Sequence, residues 1–253
     1  MPMPPALSCH TALFLDFDGT LVALAERPDA VHVAPEVRGL LQELQSLLGG
    51  ALAVVSGRQL NVLDHLLTPI RLPAAGGHGL QRRDVHGRTA KKQQTRISTQ
   101  IQHTCFALAE KYPVLLVEDK YAAMSVHYRQ APELEALCRH TLRQALRQFP
   151  ALELLQGKSV FEVKPRCVNK GTAIEEFLAE APFAGRVPVF VGDDFTDEHG
   201  FAVVQAEGGI TVKVGLGPTC AAFRLNSSQE VICWLQAFRD QLNNSSKMTE
   251  ARV

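Results

Sequence analysis

Short blocks of consecutive apolar residues alternate with longer stretches in which apolar side chains recur every three or four positions. Ala12-Leu13-Phe14-Leu15 is the first block, a run of the kind that parallel sheets bury on both faces. After Pro35, a good first helical residue, Val37, Leu40, Leu41, Leu44, Leu47 and Leu48 follow at helical spacing until Gly49-Gly50 ends the run. Ala51 to Val55 is a second block, leading through Ser56-Gly57-Arg58 into a helix that ends near Pro69. Strands alternating with helices across short loops predict a doubly wound parallel sheet.

The rhythm then changes. A helix predicted over about 95–111 precedes two strands, Val114 to Val117 and Ala123 to Tyr128, the second alternating with Met124, Val126 and Tyr128 on one face. A helix over about 132–148 and strands Leu152 to Leu155 and Ser159 to Val163 repeat the helix-strand-strand order, which describes a small antiparallel α+β module. Beyond Lys164-Pro165 the first rhythm returns. A helix runs from Lys170 to Ala181 behind the N-cap candidate Asn169. Strand Val187 to Val191, a helix near 198–204, strand Ile210 to Val214 and a last helix from about Ser228 complete the pattern. The fold class is α/β, a Rossmann-like parallel-sheet core with an inserted α+β cap. The expected division is core 1–82, cap 83–160 and core 161–253, with residues past about Asn243 frayed.

Composition narrows the function classes. The chain has 253 residues, 46% apolar, and 26 basic against 26 acidic residues. Zero formal net charge excludes a chain-wide electrostatic grip on nucleic acid or membrane, which needs a basic excess. Arg82-Arg83 to Lys91-Lys92 is the nearest basic patch and reads as a solvated surface loop. No stretch approaches the roughly 18 apolar residues of a membrane span, and no secretory signal is visible. The six cysteines are scattered without zinc spacing and read as reduced structural thiols, so a cytoplasmic location is expected.

Candidate chemistry gathers at the predicted carboxyl ends of the core strands, where open α/β sheets bind ligands. Asp16-Phe17-Asp18-Gly19-Thr20 follows the first strand. Two carboxylates two residues apart can share one cleft, where their repulsion calls for a divalent cation. Thr20 and, after the second strand, Ser56 offer hydroxyls to a phosphate. Asn169-Lys170-Gly171 opens a helix and brings an ammonium beside helix amides. Gly192-Asp193-Asp194, with Asp197 three residues on, adds the hard oxygens magnesium prefers. Each cluster alone could be an ordinary turn or cap; four in order at one sheet edge argue against coincidence.

This ordered set resembles the four motifs of the haloacid dehalogenase superfamily, and more closely the trehalose-phosphatase family within it. The resemblance runs from about Thr11 to Phe238, through Asp16–Leu21, Val55–Arg58, Gly77-His78-Gly79, Val117–Lys120, His127–Arg129, Glu162–Pro165, Asn169–Gly171 and Val191–Glu198. It implies a haloacid-dehalogenase-type core with Asp16 as nucleophile forming an aspartyl-phosphate and Asp18 as general acid and base. It further implies Mg2+ held by Asp16, the Asp18 carbonyl and Asp193, with Lys170 and Ser56 on the transferring oxygens. Asp194 and Asp197 would support the metal and Lys170. Arg58, His78, Glu118, Lys120 and Glu162 match substrate contacts, and Lys164 is either another contact or a hinge residue. Cys167 stands where the family often has glycine. The implied substrate is a sugar phosphate, trehalose 6-phosphate foremost, with functional pairing to a trehalose-phosphate synthase.

Three other readings compete. A phosphatase of the same superfamily for another sugar, such as sucrose phosphate, would differ only in cap residues. A receiver-like signalling module would be about half as long and would leave Asp18 unexplained. A catalytically dead sensor would lack Asp16 or Asp18, and both are present.

Overall fold

The computed structural model describes residues 2–24, 30–91, 97–120, 123–157 and 159–250. Contacts divide the chain into two compact units, Met1–Lys91 with Asn169–Val253, and Lys92–Val168. The boundaries of 83 and 160 expected from sequence fall inside elements that each unit keeps whole.

The larger unit is an eight-stranded sheet. Its first strands are β1 (Thr11–Leu15), β2 (Leu52–Val55), β3 (Ala74–Gly76), β4 (Gln81–Arg83) and β5 (Thr89–Lys91). After the second unit come β10 (Val187–Gly192), β11 (Ile210–Val214) and β12 (Phe223–Leu225). The spatial order is β12-β11-β10-β1-β2-β3-β4-β5, parallel from β12 to β3, with β4 and β5 added antiparallel. Five helices serve this unit: α1 (Pro35–Leu47), α2 (Leu60–Leu67), α5 (Lys170–Leu178), α6 (Glu198–Ala206) and α7 (Ser228–Glu250). β1 and β2 are buried along their whole length, as their unbroken apolar runs require. Phe14 meets Phe177 and Phe183 at ring-centroid distances of 6.0 and 5.4 Å, tying β1 to the end of α5.

The smaller unit contains α3 (Thr99–Lys111), β6 (Leu116–Asp119), β7 (Met124–His127), α4 (Glu135–Leu146), β8 (Leu152–Gly157) and β9 (Val160–Pro165). Its antiparallel sheet runs β6-β7-β9-β8. Met124, Val126, Phe161 and Val163 belong to one buried cluster with Ile101, Cys105, Cys138 and Leu142 of the two helices. The alternation predicted for β7 is thus the boundary between a core face and a polar face.

Several expectations need correction. The segment from Arg82 to Lys91 is no surface loop but the β4–β5 hairpin. Arg83 is buried, its guanidinium donating to Asp64 at 2.6 and 2.8 Å and to the Leu72 carbonyl, so its charge serves structure. The strand predicted from Val114 begins at Leu116, because pairing with β7 starts at Leu116↔His127 while Leu115 is held in a turn by Tyr112. The helix from Lys170 stops at Leu178, short of Ala181. The chain stays helical to Glu250 where fraying was expected, its polar last turns joined by a Ser245 hydroxyl bond to the Gln241 carbonyl. Cys105 and Cys138 are buried, whereas Cys9, Cys167, Cys220 and Cys233 are exposed. No described helix is long and apolar enough to cross a membrane.

Candidate active site

Asp16 is the first residue past β1, and its amide donates to the Val191 carbonyl of β10 at 2.9 Å, fixing it between the two central strands. Its carboxylate is almost fully buried. Lys170 reaches it from the first position of α5. There Asn169 accepts from the Thr172 amide at 3.0 Å and Thr172 returns the contact at 3.2 Å, a reciprocal cap that sets the helix start. The Lys170 ammonium donates to Asp16 Oδ1 and Asp197 Oδ1, both at 2.7 Å. Asp197 is satisfied on its other oxygen by the Asp194 amide at 2.9 Å, so it orients Lys170 from a fixed position.

Charge does not balance among these groups. Carboxylate oxygens of Asp16, Asp193 and Asp197 all lie within 4.8 Å of one another, with Lys170 between two of them. Burial pushes the Asp16 pKa well up, the Asp197 and Asp193 charges add to the rise, and Lys170 only partly offsets it. Lys170 itself is held charged: its two carboxylates outweigh burial and raise its pKa. Three carboxylates around one ammonium leave a negative excess made of hard oxygen donors, and a small dication such as Mg2+ fits that excess. The bare backbone of Gly19 lets the Asp193 carboxylate pack against it: a Cβ built there, where φ is +82°, would lie 2.1 Å from Asp193 Oδ2.

Asp18 points elsewhere. Its two carboxylate oxygens accept from Arg58 at 2.6 Å (Nε) and 2.7 Å (second terminal nitrogen), a bidentate fork. A carboxyl held this way is oriented, and it can give a proton to a ligand only when part of the fork opens. Arg58 also stands 5.7 Å from the Phe17 ring, and its amide donates to Ser56 Oγ at 3.1 Å. Thr20 is buried, its hydroxyl 3.4 Å from Asp16 Oδ2. His78 adopts a left-handed backbone at φ 54°, and its ring lies so close over Gly57 that a Cβ there would come within 2.6 Å of His78 Cε1. The core unit therefore assembles Asp16, Asp18, Thr20, Ser56, Arg58, His78, Lys170, Asp193, Asp194 and Asp197 at the carboxyl ends of its parallel strands.

The remaining three candidates cluster within the smaller unit. Glu118, Ser125 and Glu162 occupy matching register positions across β6, β7 and β9, on the face opposite the apolar core. Lys120 donates to Glu162 Oε2 at 2.7 Å and stands 3.8 Å from Glu118, and Ser125 donates to the same Glu162 oxygen at 3.0 Å. A hydrogen bond from His127 holds the Glu118 carboxyl below its usual range, with Lys120 helping against burial. Lys164 is buried, paired with Glu153 at 3.2 Å and donating to the Val168 carbonyl.

Two residues in contact with the candidate groups escaped the sequence reading. Ser125 looked like one polar member of an alternating strand, and only cross-strand register reveals its partner Glu162. Lys213 sits inside the apolar run of β11, and its ammonium donates to the main-chain carbonyl of Asp193. A charge in the middle of a buried strand was the available signal.

Comparison with known proteins adds four findings. The family model described as trehalose-phosphatase matches residues 14–229. A trehalose-6-phosphate phosphatase of Escherichia coli (strain K12) is 45% identical over 234 residues, 92% of this chain and 88% of that protein. A probable trehalose-phosphate phosphatase of Sinorhizobium fredii is 43% identical over 205 residues, 81% of this chain and 77% of that protein. Among solved structures, the C-terminal domain of a Candida albicans trehalose-6-phosphate phosphatase superposes with TM-score 0.80 at 21% identity. That match covers 94% of this chain and 98% of that one, and it shows that the two share this α/β fold.

Proposed function

We propose that this chain, which belongs to the trehalose-phosphatase family, hydrolyses trehalose 6-phosphate to trehalose and inorganic phosphate. The observation that carries the chemistry is the buried Asp16 carboxylate, fixed by Lys170 and crowded by Asp193 and Asp197 at the end of β1. The substrate comes from the relatives, whose likeness spans nearly the whole chain.

In the first half-reaction an Asp16 oxygen forms a bond to phosphorus as the bond from phosphorus to the sugar oxygen breaks. Asp18 gives its proton to that leaving oxygen. Substrate entry opens the Arg58–Asp18 fork, turning the guanidinium to the ligand and freeing the carboxyl to carry a proton. In the second half-reaction Asp18 takes a proton from water as the water oxygen attacks phosphorus. The Asp16–phosphorus bond breaks, and phosphate and the Asp16 carboxylate are regenerated. Lys170, Ser56 and Thr20 hold the phosphoryl oxygens throughout. Asp16, the Asp18 carbonyl and Asp193 would hold Mg2+, with Asp194 and Asp197 in support. When bound, the ion neutralises charge on the phosphoryl group, the main requirement of this chemistry.

We assign sugar hydroxyls to His78 of the core and to Glu118, Lys120 and Glu162 of the smaller unit, whose charged hydrogen bonds suit a polyol. The enzyme acts after a trehalose-phosphate synthase, in the cytoplasm. Phosphate release from trehalose 6-phosphate, with and without magnesium, tests this reading.

A further inference from the structure

Lys213 is the only charged residue in β1, β2, β10 and β11, whose sequences are otherwise Thr-Ala-Leu-Phe-Leu, Leu-Ala-Val-Val, Val-Pro-Val-Phe-Val-Gly and Ile-Thr-Val-x-Val. It is 4% exposed. An ammonium inside a sheet core costs far more than the valine or isoleucine its neighbours use, unless something there needs a positive charge or a donor. Its described hydrogen bond goes to the carbonyl of Asp193, the first residue past the end of β10, and Cα pairing sets Gly192 opposite Lys213. The side chain of that same Asp193 packs on the bare backbone of Gly19, where its carboxylate meets Asp16 and Asp197.

From this placement we infer that Lys213 is a positioning residue for the cation site. Its ammonium clamps the Asp193 peptide at the strand end, so that the carboxylate is aimed at Asp16 before any cation arrives. Lys213 touches neither the phosphoryl group nor the cation; it acts through Asp193. The inference rests on the magnesium reading above.

Isothermal titration of the purified full chain with magnesium, without substrate, tests it directly. Lys213→Met keeps the aliphatic stem and removes the donor and charge. Residues that orient metal ligands change affinity by about 10- to 100-fold, so its magnesium dissociation constant is expected to rise at least ~10-fold. The magnesium concentration for half-maximal turnover rises in parallel, while KM for the sugar phosphate at saturating magnesium stays within about twofold. The metal-free thermal midpoint does not fall, because an alkyl group replaces a buried charge. Lys213→Arg, which keeps charge and donor, recovers affinity to within about threefold of wild type. Lys213→Leu, which also lacks donor and charge, is read in the same way as Lys213→Met should that variant not fold. A variant whose magnesium affinity matches wild type, or which loses thermal stability with magnesium affinity intact, overturns the inference alone. A wild-type protein that binds no magnesium overturns the metal reading and this inference together.

Discussion

Replacing Gly19 by alanine adds one methyl group to the most crowded point of the site. The new Cβ would lie 2.1 Å from Asp193 Oδ2, 2.3 Å from its Cγ and 2.8 Å from Oδ1. Carbon does not approach nonbonded atoms closer than about 3 Å, so the Asp193 carboxylate must retreat by roughly 1 Å. Misplacing a reacting group by that distance costs on the order of 100-fold in rate, which corresponds to ~2.7 kcal/mol of barrier. There is a separate backbone cost, since φ at Gly19 is +82° and an alanine there pays about 1–2 kcal/mol. For a chain of this length that lowers the thermal midpoint by about 2–4 °C per kcal/mol. Gly208 separates the two effects: its φ is +69°, yet a Cβ there meets nothing within 4 Å. Gly208→Ala is therefore expected to lose similar stability with kcat/KM unchanged, while Gly19→Ala loses about 100-fold in kcat/KM and needs more magnesium. The assay is phosphate release over a magnesium series, with thermal denaturation of both variants. Should Gly19→Ala keep more than a third of wild-type kcat/KM, the close approach of Asp193 to the Gly19 backbone has no part in catalysis.

Other consequences follow from the same geometry. Asp16→Asn removes the nucleophile and is expected to abolish turnover; a residual rate above about a tenth of wild type, a loss under ~1.4 kcal/mol, refutes covalent catalysis by this residue. Asp18→Asn should cripple hydrolysis and, with an activated aryl phosphate, accumulate phosphorylated protein detectable by intact mass; equal turnover of both substrates by this variant would deny Asp18 its proton-transfer role. Lys120→Ala should lower kcat/KM for trehalose 6-phosphate at least ~10-fold while leaving a small aryl phosphate within about threefold, and equal losses on both would assign Lys120 to folding. Without metal, Asp16 binds a proton in the folded state that the unfolded chain, with an ordinary value of 3.8, releases. Stability of the metal-free form must then fall as pH rises from that value through the raised one, and added magnesium should reverse the loss; denaturation across pH with and without magnesium reads it.

The alternation of apolar blocks and helical periodicity was enough to place β1, β2, β10, β11 and the helices between them, because buried parallel strands carry their signal in composition alone. The candidate groups were legible for a related reason: Asp16, Ser56 and Asp193 each follow such a strand, so the strand ends point to the proposed site. What was hidden depends on pairing. β3 and β12 are three residues each, too short to show a period, and β4 exists because Arg83 finds Asp64 and the Leu72 carbonyl, partners 19 and 11 residues away. The bidentate hold of Arg58 on Asp18, across 40 residues, was likewise invisible, as spacing says nothing of which ligand a guanidinium chooses before substrate arrives. Lys213 was not singled out, because its partner, the Asp193 carbonyl, is set by the pairing of β11 with β10 and not by spacing.

The central claim is magnesium-dependent hydrolysis of a specific sugar phosphate, and one measurement meets it most directly. Initial rates of phosphate release are taken from trehalose 6-phosphate, sucrose 6-phosphate and glucose 6-phosphate, each with magnesium and with excess chelator. The account predicts turnover of trehalose 6-phosphate at least ~10-fold above the other two in kcat/KM, abolished by chelator and restored by magnesium. Equal turnover of all three sugars, or chelator-resistant release from trehalose 6-phosphate, would contradict it.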